Sequence, residues 1–222
     1  VKSVKKNPKK SPSKPEEEKL SSREFWLFIG SLIFVFSALH IIVMTSFPVI
    51  NKIFHTKFAP PSDIKSHYNN VQIWMAALVA FGAAVTQFFK YKNSDVNFVF
   101  KRLAIAFIAA IVISLAFIIP YKLYRVDYVL LMVFSVFAIV SNTQFIFQVL
   151  KGNIKISGGS ISHIGFGVML VGILISQGKQ EILSINQFGI DYGKGFTTKE
   201  SAENVLLYQN EPINMSNYRV TY

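Results

Sequence analysis

A histidine set among glycines stands out in this sequence, because imidazole binds metals and protons near neutral pH. Residues 158–176 read GGSISHIGFGVMLVGILIS, with no charged side chain and one imidazole, that of His163. On a helix, Gly167 lies one turn beyond His163 on the same face, and Gly165 adds a second small residue nearby. Small residues in a membrane let another helix approach closely, or a flat macrocycle whose iron the imidazole ligates. Both interpretations stay open on spacing alone.

The other three histidines are weighed in the same way. His40 stands inside an apolar block, where it either ligates a cofactor or hydrogen-bonds to a neighbouring helix. His55 and His67 fall in the polar stretch after that block, so both are predicted to be ordinary loop histidines. His40 and His163 should differ in depth by roughly 15–20 Å at about 1.5 Å per residue. Two axial nitrogens on one iron are only about 4 Å apart, so any second ligand for His163 is expected outside this chain.

Five apolar blocks give the chain its class. Roughly 20 residues cross a bilayer as a helix, so these blocks predict a polytopic all-α membrane protein with about five transmembrane helices. The block centres hold no Asp, Glu, Lys or Arg, which argues against ion-coupled transport. The predicted spans cover residues 25–50, 71–89, 103–119, 128–150 and 160–176.

The positive charge of the chain, +11 in total, predicts its orientation. With the N-terminus inside, the inner segments hold fourteen Lys and Arg and the short outer loops hold five, which agrees with the positive-inside rule. Residues 1–24 are basic and polar and predict a flexible cytoplasmic segment, either a solvated linker or a patch for anionic lipid or a partner. Beside membrane spans, such a segment favours lipid over nucleic acid as its neighbour.

Residues 177–222 are polar, unlike the spans before them. ENVLLYQ at 203–209 and YRVTY at 218–222 predict two strands joined by a turn. We therefore expect the start of an extracytoplasmic β domain, truncated before it closes. The domain organisation is then residues 1–24, a bundle over 25–176, and the β domain over 177–222. The chain is interpreted as an internal piece of a longer protein.

Several kinds of chemistry are excluded by what the sequence lacks. There is no cysteine, so the chain has no disulfide, no CxxC redox pair and no haem-attachment motif of its own. It also contains no phosphate-binding loop, no dinucleotide fingerprint, no HExxH and no nucleophile elbow.

Four stretches, taken in order, resemble one known family. They are SREFWLFIGSLIF at 22–34, a loop with APP at 59–61 and HYNN at 67–70, the glycine–histidine stretch at 158–176, and ENVLLYQNEPINMSNYRVTY at 203–222. Together they are similar to the C-terminal portion of the CcmF-type cytochrome c haem lyases of system I cytochrome c maturation, a family that includes CycK- and CcsA-like proteins. The resemblance runs from Ser22 to the end of the chain.

The resemblance implies a function and a place in the cell. Members of this family attach haem b to the thiols of apocytochrome c at the outer face of the bacterial inner membrane, with haem-chaperone and thiol-reducing partners. One axial histidine of a buried b haem in the family matches His163, and Gly165 and Gly167 would allow close approach of haem or a helix. The tail would then be periplasmic.

The chain lacks other parts of the family pattern. The tryptophan-rich segment, its flanking histidines and the second span histidine are expected in an N-terminal half before Val1. No catalytic residue is therefore assigned here. Without the resemblance, the sequence also fits a cofactor-free membrane scaffold or assembly subunit with an outer β domain, and a b-type spectrum separates the two.

Overall fold

The computed structural model describes residues 22–61, 63–90, 95–178, 182–186, 189–191, 193, 195–196 and 198–222. Within these residues the chain is mostly helical, and five helices are long and apolar enough to cross a membrane. The predicted basic segment over 1–24 lies outside the described residues except for its last three. The helices of the first compact unit are α1 (Arg23–Thr45), α2 (Phe47–Phe54), α3 (Ile64–Val85), α4 (Val96–Tyr121), α5 (Val126–Gln148) and α6 (Gly158–Gly178), with 3₁₀ turns at Thr86–Phe88 and Ile154–Ile156.

The first apolar block forms two helices where one span over 25–50 was predicted. Helix α1 ends at Thr45, and Pro48 stands in the first turn of α2. Proline has no N–H to donate and clashes inside a helix, whereas the first turn of a new helix tolerates it. Asn51 in α2 organises the loop that follows the helix, accepting from Thr56 Oγ1 at 2.8 Å and donating to the Phe58 carbonyl at 2.8 Å.

Helix α3 begins seven residues before the predicted start at Val71. The Asp63 carboxylate accepts from the backbone N–H of Ser66 at 2.9 Å, which caps the first turn. The first two turns carry polar side chains, so hydropathy alone missed them. As a consequence, His67 lies on a helix, and the prediction that it is a loop residue is wrong.

Helix α5 lies at the centre of the bundle, between α3, α4 and α6. Of the 18 most apolar consecutive residues of α5, 44% are buried, whereas no residue of α1 is buried. Helix α1 therefore lies at the periphery, against α3. The first turn of α1 contacts the bundle through Trp26, which stacks on Phe89 at a distance of 6.1 Å between ring centroids.

Two ends of the bundle are defined by contacts between helix termini. At the first, called the Arg23 end, the Arg23 N–H donates to the Lys90 carbonyl at 3.0 Å, and Arg102 donates to Gln148 at 3.1 Å. At the second, called the Arg125 end, Arg125 donates to the Asn70 side chain at 3.4 Å. Helices α1, α4 and α6 start at the Arg23 end, while α3 and α5 start at the other.

The second compact unit covers residues 179–222. Its described part contains helix α7 (Thr198–Glu203) and an antiparallel hairpin of β1 (Ile213–Met215) and β2 (Tyr218–Val220). The predicted second strand is present, although it ends at Val220. The predicted first strand over 203–209 is wrong, because β2 pairs instead with β1 across a two-residue turn in which Ser216 has φ 54°.

Candidate functional site

His163 lies in the second turn of α6, on the face that packs into the bundle. The buried residues of α6 are Ser160, Gly167, Leu170 and Leu174. His163 is three residues after Ser160 and four before Gly167, so it belongs to the same stripe. Its side chain is half-buried, and its imidazole has no hydrogen-bond partner among the described residues. An apolar face thus carries a polar ring whose two nitrogens are uncommitted.

The two glycines assigned near His163 have different surroundings. A Cβ on Gly167 would lie 2.8 Å from the Ser135 carbonyl oxygen and 2.8 Å from Ile139, so Gly167 marks the close approach of α6 to α5. A Cβ on Gly165 would meet no atom within 4 Å. Two residues along a helix is a turn of about 200°, so Gly165 faces away from His163. Only Gly167 shares the face of the imidazole.

A buried amide lies at the same level as the start of α6. Asn142 of α5 is fully buried and is two turns from Ser135 on the same face of that helix. Helix α6 runs antiparallel to α5, so the residue two turns before Gly167, Ser160, lies at the level of Asn142. His163 is one turn after Ser160. Asn142 donates to the carbonyls of Ala83 and Ala138, both at 2.9 Å. Its Oδ1 has no partner among the described residues.

His40 and His67 are brought together, which the sequence interpretation did not anticipate. Their Nε2 atoms are 3.3 Å apart, and Gln72 Nε2 lies 3.2 Å from His40 Nδ1. His40 thus hydrogen-bonds to the neighbouring helix, one of the two alternatives, through an amide and an imidazole. A sequence signal was present: Ser37 and His40 form a polar pair one turn apart on an otherwise apolar helix, which calls for polar partners. His55, directly after α2, is exposed.

The depths of His40 and His163 agree with the expectation that one haem does not bind both. Helices α1 and α6 start at the same end, and His40 lies about five turns into α1. His163 lies in the second turn of α6, so the two differ in depth by roughly 18 Å at about 1.5 Å per residue. The described part of the chain also contains no group of three or more His, Cys, Asp or Glu side chains placed to hold a metal ion.

No protein-family model, no curated protein and no solved structure matches this chain.

Proposed function

We propose that this chain is part of a cytochrome c haem lyase of the CcmF type, in which His163 is one axial ligand of a buried b haem. The observation that supports the proposal best is the uncommitted imidazole of His163, half-buried on the inward face of an apolar helix. A polar group in hydrocarbon without a partner costs several kcal/mol. Iron ligation would offset that cost.

The other histidines support the same assignment by contrast. The Nε2 atoms of His40 and His67 are within hydrogen-bond distance of each other, at 3.3 Å, and His55 is exposed. Only His163 combines partial burial in a span with ring nitrogens that no described residue engages. A Cβ on Gly167 would meet α5, so Gly167 is packed against that helix and is not open to a haem. The proposal places the second axial ligand on an N-terminal half.

In this proposal, the chain binds the haem and shields it from water. A haem bound there would supply one-electron redox chemistry, tuned by its axial ligand and its burial. His163 would provide one nitrogen. Asn142 Oδ1 has no partner among the described residues, and an amide oxygen is the type of acceptor that orients a ligating imidazole through its second nitrogen. No catalytic residue is assigned to this chain, and the thioether chemistry would belong to the N-terminal half.

The proposed location is the bacterial inner membrane, with the N-terminus inside and residues 179–222 in the periplasm. The distribution of charge over the helix ends supports this orientation. The Arg23 end gathers Arg23, Lys90, Lys101, Arg102, Lys151 and Lys155, while the Arg125 end has Lys52, Lys57, Lys65, Lys122 and Arg125. In the sequence, seven further lysines precede Arg23. The proposed partners are apocytochrome c, haem-chaperone and thiol-reducing subunits, and membrane lipid.

The test is a reduced-minus-oxidised visible spectrum of the detergent-purified full-length parent protein. We expect a b-type signal in the wild type, in His55→Asn and in His40→Gln, and its loss in His163→Ala. A full signal in His163→Ala would contradict the ligand assignment and leave His163 as a packing residue. Absence of haem from the wild type as well would contradict the lyase proposal and favour the cofactor-free scaffold.

A further inference from the structure

A polar cluster lies between α1 and α3, in the half of the bundle nearer the Arg125 end. His40 comes from α1 and His67 from α3, and both side chains are half-buried. Their Nε2 atoms are 3.3 Å apart, their ring centroids 5.3 Å apart, and their planes differ by 26°. The rings therefore meet through their Nε2 edges, and we call them the His40–His67 pair.

The separation of these two nitrogens matches two ligands of one tetrahedral ion. Zinc–imidazole bonds are about 2.0–2.1 Å long. Two such bonds spanning the observed 3.3 Å enclose an angle of about 107° at the metal, close to the tetrahedral value. We propose that the His40–His67 pair binds a borderline divalent ion of the zinc class, separate from the proposed haem ligand His163.

A polar side chain behind His40 could serve as the second-nitrogen partner of a metal-ligating histidine once its amide is reversed. Such a ring nearly always uses its second nitrogen to bind a fixed polar group, which sets its orientation and its tautomer. Gln72 Nε2 lies 3.2 Å from His40 Nδ1. Gln72 is itself held at two points by Ser37, whose hydroxyl donates to its Oε1 and whose carbonyl accepts from its Nε2 at 3.3 Å. These contacts fix the Gln72 side chain beside His40 in the ion-free protein.

The hydrogen bonds also define how the site changes when an ion binds. The Gln72 NH₂ donates to His40 Nδ1, so neutral His40 carries its proton on Nε2 and donates it to His67 Nε2. Ion binding needs both Nε2 lone pairs, so the His40 proton moves to Nδ1 and the Gln72 amide turns over to accept it. The turned amide then donates its N–H to the Ser37 hydroxyl oxygen, while its hydrogen bond to the Ser37 carbonyl is lost. No proton is gained or lost by the pair.

The two protein ligands leave open positions on the ion. The described residues supply no third His, Cys, Asp or Glu to the cluster, so water or an external donor would complete the coordination. Tyr68 packs edge-on against both rings, with centroid distances of 5.7 Å, and limits their movement. Since α1 buries no residue of its own, an ion shared by α1 and α3 would strengthen their attachment.

The proposal is tested by calorimetric titration of Zn²⁺ into the detergent-purified chain after removal of any purification tag. We expect saturable binding in the wild type and in His55→Asn, which removes an exposed histidine. His67→Gln and His40→Gln should each weaken binding by at least about 10-fold, and the double variant should be no weaker than the singles. Wild-type affinity in His67→Gln, or no saturable binding in the wild type, would overturn the proposal.

A gain-of-affinity variant distinguishes ligation from damage to the fold. Gln72→Glu places a carboxylate behind His40, which can only accept the Nδ1 proton and so favours the ion-binding tautomer. We expect tighter zinc binding in Gln72→Glu, and binding about 10- to 100-fold weaker in Gln72→Leu. Equal zinc affinity in these two variants would contradict the role of Gln72 and the tautomer change on which the site depends.

Discussion

Gly167 of α6 lies against the backbone of α5, where a Cβ would be 2.8 Å from the Ser135 carbonyl oxygen. Gly167→Ala therefore has to push the two helices apart, at a cost of about 1–3 kcal/mol. Gly165→Ala is the matched control, since a Cβ there meets nothing within 4 Å and alanine favours helix by up to about 1 kcal/mol. Thermal unfolding in detergent should show a lower Tm for Gly167→Ala alone. Equal melting of the two variants would rule out the close approach.

Asn142 donates a hydrogen bond to a backbone carbonyl near the point where α3 changes from α-helix to a 3₁₀ turn. Its Nδ2 donates to the Ala83 carbonyl in the core. Asn142→Ala should lower the free energy of unfolding by about 1–3 kcal/mol, because this buried carbonyl loses its donor. Thr143→Ala is the control: Thr143 donates only within α5, to Ile139, so its loss should cost less. Denaturation followed by circular dichroism compares them, and a larger loss in Thr143→Ala would contradict this reading.

The proposed orientation is testable because the chain has no cysteine of its own. Lys57→Cys places a thiol in the loop after α2, and Lys155→Cys places one between α5 and α6. Both positions are exposed. A membrane-impermeant maleimide added to intact spheroplasts should label Lys57→Cys and should reach Lys155→Cys only after lysis. The reverse pattern would place the N-terminus outside.

Arg125 joins the first turn of α5 to α3 at the bundle surface. It pairs with Asp127 at 2.7 Å and donates to Asn70 at 3.4 Å. Its side chain is 56% exposed, so Arg125→Ala should cost no more than about 1 kcal/mol, and added salt should shrink the difference. A loss of several kcal/mol in chemical denaturation would show that this pair carries more of the fold than its exposure indicates.

Titration of Arg125 should not change the stability of the protein near neutral pH. The hydrogen bond to Asp127 raises the pKa of Arg125 above its already high ordinary value. A group with a raised folded pKa stabilises below its unfolded pKa and loses that contribution only as the pH rises through the folded value. For arginine this lies far into the alkaline range. Stability curves of wild type and Arg125→Ala should therefore run parallel around neutral pH.

Hydropathy was enough to locate the five long helices, since only a long apolar run buries its backbone polar groups inside a membrane. It failed at polar helix ends. The first turns of α3 read as loop because their side chains are polar, although Asp63 caps them as helix. The break between α1 and α2 followed from Pro48, a local signal that the apolar run obscured. The first predicted strand failed because a short alternating segment becomes a strand only when it finds a partner, and β2 pairs with β1.

The sequence by itself determined the helical class, the charge asymmetry and the singular position of His163, because each depends on residue type and on spacing along one chain. Only the tertiary structure decided which side chains meet. Gly165 and Gly167 read alike in sequence, yet Gly167 alone contacts α5. His40 and His67, 27 residues apart and assigned to different environments, lie with their Nε2 atoms 3.3 Å apart. Such contacts depend on the packing of one helix against another, which no spacing within a single helix specifies.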